Sequence, residues 1–190
     1  TRRSSDLAIY LIQSNGKFTI KNSNITKSMS GNVIQQSKAG DMLINNTVFE
    51  DNDASDSYAV ISLDSGSGNL VVENSKFISN NVKQGVIRGY SSHNLKVNSS
   101  EFIDNVNAWD GGAIYANAYG GTLDITDSKF INNEAGRNGG AIYVGWKATA
   151  TIDKSIFIDN KVTGSGYHGD AIYNGNMLTV SNSVLLNKDS

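Results

Sequence analysis

Cysteine is absent from the 190 residues and histidine occurs only twice, so neither a disulfide framework nor a zinc site is available. Charge is scarce as well. Charged side chains make up 18% of the chain, and 16 basic against 18 acidic residues leave a net charge of −2. No polybasic face or acidic tail results, which argues against nucleic acid or an anionic membrane as partner. No apolar run approaches the ~18 residues that a spanning helix requires, the opening residues do not read as a signal peptide, and no amphipathic helix pattern survives a count. Insertion of this segment into a membrane is therefore not expected.

What the chain does contain is glycine (19 residues) with abundant Asn, Ser and Thr, the composition of a turn-rich β protein. Two markers recur at intervals of 24 to 30 residues. One is an aromatic slot: Phe49, Phe77, Phe102, Phe130 and Phe157, with Ile25 and Leu185 in the same place at the ends. The other is an isoleucine: Ile9, Ile34, Ile61, Ile87, Ile114, Ile142 and Ile172. Between them lie apolar pairs that alternate with a polar or variable residue, such as Leu95-Lys96-Val97 and Leu123-Asp124-Ile125. That period of two is a strand with one face buried.

Each unit of roughly 27 residues thus holds three short strands and cannot bury its apolar face alone, so units must stack. The expected fold is all-β, a right-handed, single-stranded parallel β-helix of about seven rungs over residues 1–190. Rungs one strand spacing apart give a rod about 34 Å long, and the handedness follows that of parallel crossover connections. Ser and Thr two residues before the aromatic slot (Thr47, Ser75, Ser100, Ser128, Ser155) and Asn three after it (Asn52, Asn80, Asn105, Asn133, Asn160) read as turn residues, with Asn in left-handed backbone. Thr1-Arg2-Arg3 and Asn187 to Ser190 adjoin repeats directly, and the chain is expected to be a piece of a longer repeat protein.

The pairing of F-x-x-N with G-G-A-I, in Phe102 to Asn105 with Gly111 to Ile114 and in Phe130 to Asn133 with Gly139 to Ile142, resembles the repeats of chlamydial polymorphic membrane proteins and of adhesin-like surface proteins of methanogenic archaea. The match is close over the last 90 residues, where Phe157 to Asn160 goes with the degenerate Gly169-Asp170-Ala171-Ile172, and loose before them, where Leu7-Ala8-Ile9, Asn32-Val33-Ile34 and Ala59-Val60-Ile61 replace the glycines. The resemblance implies a non-catalytic, extracellular, cell-surface module that binds or spaces, with neighbouring repeats of the parent chain and a glycan or host or microbial surface protein as partners. It implies no cofactor and no metal. The alternative is a carbohydrate-active fragment, because parallel β-helices also host pectin and polysaccharide lyases and hydrolases.

Candidate sites follow from the alternation. With the isoleucines inward, Arg88, Tyr115, Tyr143 and Tyr173 point outward in one column, with Tyr90, Tyr119 and Trp146 at the adjoining turn. An exposed aromatic strip of this kind marks either a surface for sugar or protein or stacking that only stabilises the sheet. In either case Tyr143 should be replaceable without loss of stability. For the enzyme alternative the candidates are Asp104, Asp110, Asp159 and Asp170 with Arg137, although loops of five to eight residues build no deep cleft. Gly164 to Gly169 matches G-x-G-x-x-G, but a strand and not a helix follows, so a loop is expected. Asp51 to Asp56 has calcium-loop character without the glycine and glutamate an EF-hand uses. His93 and His168 are read as separate surface residues. Asn24, Asn45 and Asn98 begin glycosylation sequons, which matter only in an exported protein.

The ladder assignment has a direct test. Ile142→Asp places an unpaired charge between Ile114 and Ile172 and should lower unfolding free energy by about 3–5 kcal/mol, read by urea titration; a variant as stable as the parent would refute the inward isoleucine column.

Overall fold

Leu95 and Val97 face the core and Lys96 faces solvent because a pleated strand alternates its side chains; the same three positions repeat in every unit and lie directly over one another. In a computed structural model that describes residues 9–11, 16–29, 31–117 and 119–186, strands of equal type pair in parallel in three seven-stranded sheets. The readings at residues 1–3 and 187–190, and at Leu7 and Ala8, lie outside the described residues. The isoleucine sheet runs from Ile9–Leu11 to Ile172–Asn174, the leucine–valine sheet from Gly16–Lys21 to Met177–Ser181, and the phenylalanine sheet from Asn24–Thr26 to Val184–Leu186. The chain therefore makes about six full turns of a parallel solenoid between Ile9 and Ile172, as the repeat predicted.

Register puts like on like. Ile61 pairs with Ile34 and Ile87, Ile142 with Ile114 and Ile172, and Leu70 with Leu95. The five phenylalanines are fully buried and stack with ring centroids 4.7–4.9 Å apart and planes within 4°. That distance is the strand spacing itself. A fourth sheet was not legible in the sequence: Asn81–Val82, Val106–Asn107, Glu134–Ala135 and Lys161–Val162 form a four-stranded strip. Two residues are too few to show any period.

The polar slots are structural, as expected, but one of them works differently. The left-handed residues are those just before them, Asn74, Ser99, Asp127 and Lys154 ahead of the Ser column and Ser79, Asp104, Asn132 and Asp159 ahead of the Asn column, with φ between 47° and 55°. The Asn column itself is buried. Asn105 Nδ2 donates to Asn133 Oδ1 at 2.9 Å and to the Phe77 carbonyl at 3.0 Å, while its Oδ1 accepts Asn80 N and Nδ2 at 3.1 and 2.9 Å. Asn52, Asn80 and Asn133 repeat the pattern. Each serine hydroxyl likewise donates to the carbonyl two residues back and accepts the backbone N–H of the equivalent residue one rung earlier, as Ser128 does with Thr126 and Ser100.

At the third corner, Gly139 has φ +75° and its neighbour Gly140 lies so close to the next rung that a Cβ would sit 2.0 Å from the Asp170 carbonyl oxygen. The Gly-Gly doublet thus combines a left-handed turn with a backbone contact no side chain permits.

Only an amide matches the donor and acceptor demands of the Asn column. Asn105→Ala removes the acceptor of Asn80 N and Asn80 Nδ2 and a donor to the Phe77 carbonyl inside the rod, and should cost about 3 kcal/mol or more. Asp104→Gly one residue earlier, at φ 55°, should change stability by less than about 1 kcal/mol. Chemical denaturation of the two variants side by side checks the contrast.

Candidate functional site

The outward column of the isoleucine sheet is in register from Gln35 through Ser62, Arg88, Tyr115 and Tyr143 to Tyr173. It divides into two halves of different chemistry. In the aromatic half Tyr115, Tyr143 and Tyr173 stack at 5.0 and 5.1 Å with planes within 9°. Tyr143 and Tyr173 are half-buried, but Tyr115 is only 6% exposed, which corrects the expectation of an open ring there. Its hydroxyl accepts Asn117 Nδ2 at 2.9 Å. Burial pushes the Tyr143 phenol up to about 12, with smaller contributions from Tyr115, Asp110 and Tyr173. Burial also raises Tyr115, against the pull of the Asn117 hydrogen bond. Both stay neutral at physiological pH. Because Tyr143 is packed between two rings, its replacement should cost some stability, where alternation alone led to none being expected.

The polar half is a closed network. Arg88 is 8% exposed and is not part of an open strip. Its guanidinium binds Asp64 Oδ1 at 2.5 Å, Ser62 Oγ at 3.3 Å and Gln84 Oε1 at 3.2 Å, while Gln35 Nε2 and Ser62 Oγ also donate to Asp64, at 2.5 and 2.6 Å. Tyr58 and Tyr90 cover it, with ring centroids 4.4 and 4.7 Å from Cζ. A cation this enclosed needs all of those partners.

Two ridges flank the tyrosines. After the sheet, exposed Tyr119 and Trp146 meet edge to face at 6.2 Å, and Lys147 Nζ lies 4.0 and 4.2 Å from their centroids. Before the sheet runs a ridge that the sequence reading missed. Trp109 N donates to the Lys83 carbonyl at 3.0 Å and Arg137 N to the Trp109 carbonyl at 2.8 Å, so these three residues sit on successive rungs. Asn107 fixes this loop, with Oδ1 accepting Trp109 N and Nδ2 donating to the Asp110 and Gly111 carbonyls. Lys83 Nζ and Arg137 Cζ lie 5.2 and 5.3 Å from the Trp109 ring, and Tyr58 and Tyr167 extend the ridge to either side. A signal was present: Trp109, Arg137 and Tyr167 each precede their isoleucine by five residues.

The other candidates are occupied elsewhere. Asp110 Oδ1 accepts N and Nδ2 of Asn138, Asp170 Oδ1 accepts Val162 N at 2.9 Å, and Asp104 and Asp159 are left-handed corner residues. Arg137 rests on rings. Asp53 and Asp56 accept the backbone amides of Ser55 and Gly31, and no group of three metal-ligating side chains occurs among the described residues. Gly164 to Gly169 leads into the strand Ile172–Asn174, a loop as expected.

His93 is corrected outright. It is 1% exposed, faces the core in register with Gly68, and neither ring nitrogen makes a well-formed hydrogen bond among the described residues. The parity was readable, since His93 precedes Leu95 by two.

A family model described as "right handed beta helix region" matches residues 2–157. No curated protein and no solved structure matches the chain.

Burial lowers the His93 pKa, against the opposing pull of the Tyr90 carbonyl and Asp64. The unfolded chain therefore binds the proton more readily, and stability is full above the ordinary histidine value and lost as pH falls below it. Unfolding free energy should drop between about pH 7 and pH 5, and His93→Gln should flatten that slope; an unchanged slope would assign the effect to other groups.

Proposed function

The chain belongs to the right-handed β-helix family, and from that premise we propose that it is a non-catalytic, adhesin-like module of an extracellular cell surface which binds an extended glycan through the outer face of its isoleucine sheet. The observation that carries this reading is the exposed pair Tyr119 and Trp146 beside the half-buried rings of Tyr143 and Tyr173. Sugars offer C–H faces that pack on rings and hydroxyls that meet neutral phenols, so the strip supplies both apolar area and hydrogen-bond donors along the rod. A face without walls buries little of a compact ligand, which favours a chain lying lengthwise. Support for a non-catalytic role comes from the carboxylates best placed for hydrolysis or elimination: Asp110 and Asp170 hold loop backbone, and Asp104 forms a corner.

One module should bind weakly and gain from multivalent display on the parent protein. In a glycan array probed with a multimerised module, Tyr119→Ala with Trp146→Ala should abolish the signal and shift the melting temperature little, since both rings are exposed. Retained binding would refute the strip as the site, and release of sugar fragments would replace the adhesin reading with the enzymatic one.

A further inference from the structure

Four cations of the described residues sit in ion pairs: Lys76 and Lys129 on Glu101, Lys161 on Glu134, and Arg88 on Asp64. Lys83, Arg137 and Lys147 have no carboxylate partner among the described residues and rest instead on Trp109, Tyr167, Tyr119 and Trp146. All three border the tyrosine column, two on one flank and one on the other. An aromatic face holds a cation in place without neutralising it, so the charge remains available to an incoming anion and less side-chain freedom is lost when one binds. The nearby carboxylate of Asp110 accepts two hydrogen bonds from Asn138, and Asp64 is held by Arg88. Asp110 and Asp170 keep their charge, so the three cations leave a small positive excess along this face, on a chain whose net charge is −2.

Spacing narrows the class. Lys83 and Arg137 are joined through Trp109 by consecutive rung-to-rung hydrogen bonds, which places them two rungs, or about 10 Å, apart along the rod. That is close to the rise of one disaccharide in an extended chain. We propose that the strip is built for a linear acidic polysaccharide carrying one carboxylate or sulfate on alternate sugars, successive anions meeting Lys83 and Arg137 while the sugar between them lies on the rung of Trp109 and the chain runs on beside Tyr143 and Tyr173, with Lys147 on the opposite flank. This rests on the glycan reading above and specifies its ligand. A ligand charged on every sugar would set half of its anions over rings, and a neutral one would leave the three cations unused.

The test uses the intact chain and four soluble probes: hyaluronan oligosaccharides, with a carboxylate on alternate sugars; the same oligosaccharides with carboxyls reduced to alcohols; a neutral β-glucan; and single-stranded DNA. Calorimetry or surface binding should rank hyaluronan first, with affinity falling roughly tenfold between about 0.05 and 0.5 M NaCl. Lys83→Ala with Arg137→Ala should weaken it about tenfold and reduce its salt dependence. Lys147→Met, on the opposite flank, should weaken it independently and keeps the test decisive if the double variant folds poorly. Equal affinity for the reduced and native oligosaccharides, or binding insensitive to all three substitutions, would overturn the charge assignment while leaving a neutral glycan surface standing. DNA binding as tight as hyaluronan would reduce the site to unspecific charge and overturn the proposal. Failure to bind any of the sugars would remove the glycan reading with it.

Discussion

One hydrogen bond, repeated from rung to rung, underlies the rest of the molecule: an asparagine amide donated to the asparagine oxygen of the next coil. Asn133 Nδ2 reaches Asn160 Oδ1 at 2.9 Å, Asn80 reaches Asn105 at 2.9 Å, and each amide also satisfies a phenylalanine carbonyl one coil back. A buried corner of this kind exposes backbone groups that no strand partner can reach, and inside a rod they have no water. The asparagine column resolves that demand where successive coils carry the same residue at the same place, and Ser28 ends it, its N–H donating to Asn52 Oδ1. Identity along the column is thus a condition of hydrogen bonding and not merely of size. The phenylalanine stack and the isoleucine column follow in register because the corner holds them there.

Outside the rod the condition relaxes. The outward positions of the isoleucine sheet pass from Gln35 to Ser62, to Arg88, and then to three tyrosines, with no polar group of the backbone depending on the choice. Where a charged residue took such a position, the surroundings changed to accommodate it: Asp64, Ser62 and Gln84 bind Arg88, and Tyr58 and Tyr90 cover it. Where tyrosines took it, the rings stacked at the rung distance and stayed partly open. Variation therefore concentrates on a face whose shape the core keeps constant.

Much of this was legible in the sequence, and the limits of legibility have physical causes. The isoleucine, leucine–valine and phenylalanine ladders were readable because each repeats a residue type at a fixed interval and alternates with polar neighbours. The left-handed corners were misplaced by one residue: Asp104 and Asn105 are both plausible in such backbone, and only the hydrogen bonds show that the first turns and the second is buried. Burial of Arg88 and Tyr115 was not legible, since alternation states which way a side chain points and not which loop closes over it. His93 was legible by parity and was misread by residue type. The ridge of Lys83, Trp109 and Arg137 lay in loops, where no period-two pattern draws attention, yet backbone hydrogen bonds stack those loops as regularly as strands.

The direction of those bonds has a mechanical consequence. Every link between coils, whether strand pairing, asparagine amide or stacked ring, lies along the rod, so tension applied through the two ends of the chain loads the links of one coil at a time rather than all together. A coil that gives way releases roughly 27 residues, or about 90 Å of extended chain, while the coils behind it keep their shape. Such a rod yields in discrete steps and lengthens greatly before it parts, which makes it a tether whose reach grows with load while the face carried by the unbroken coils is preserved.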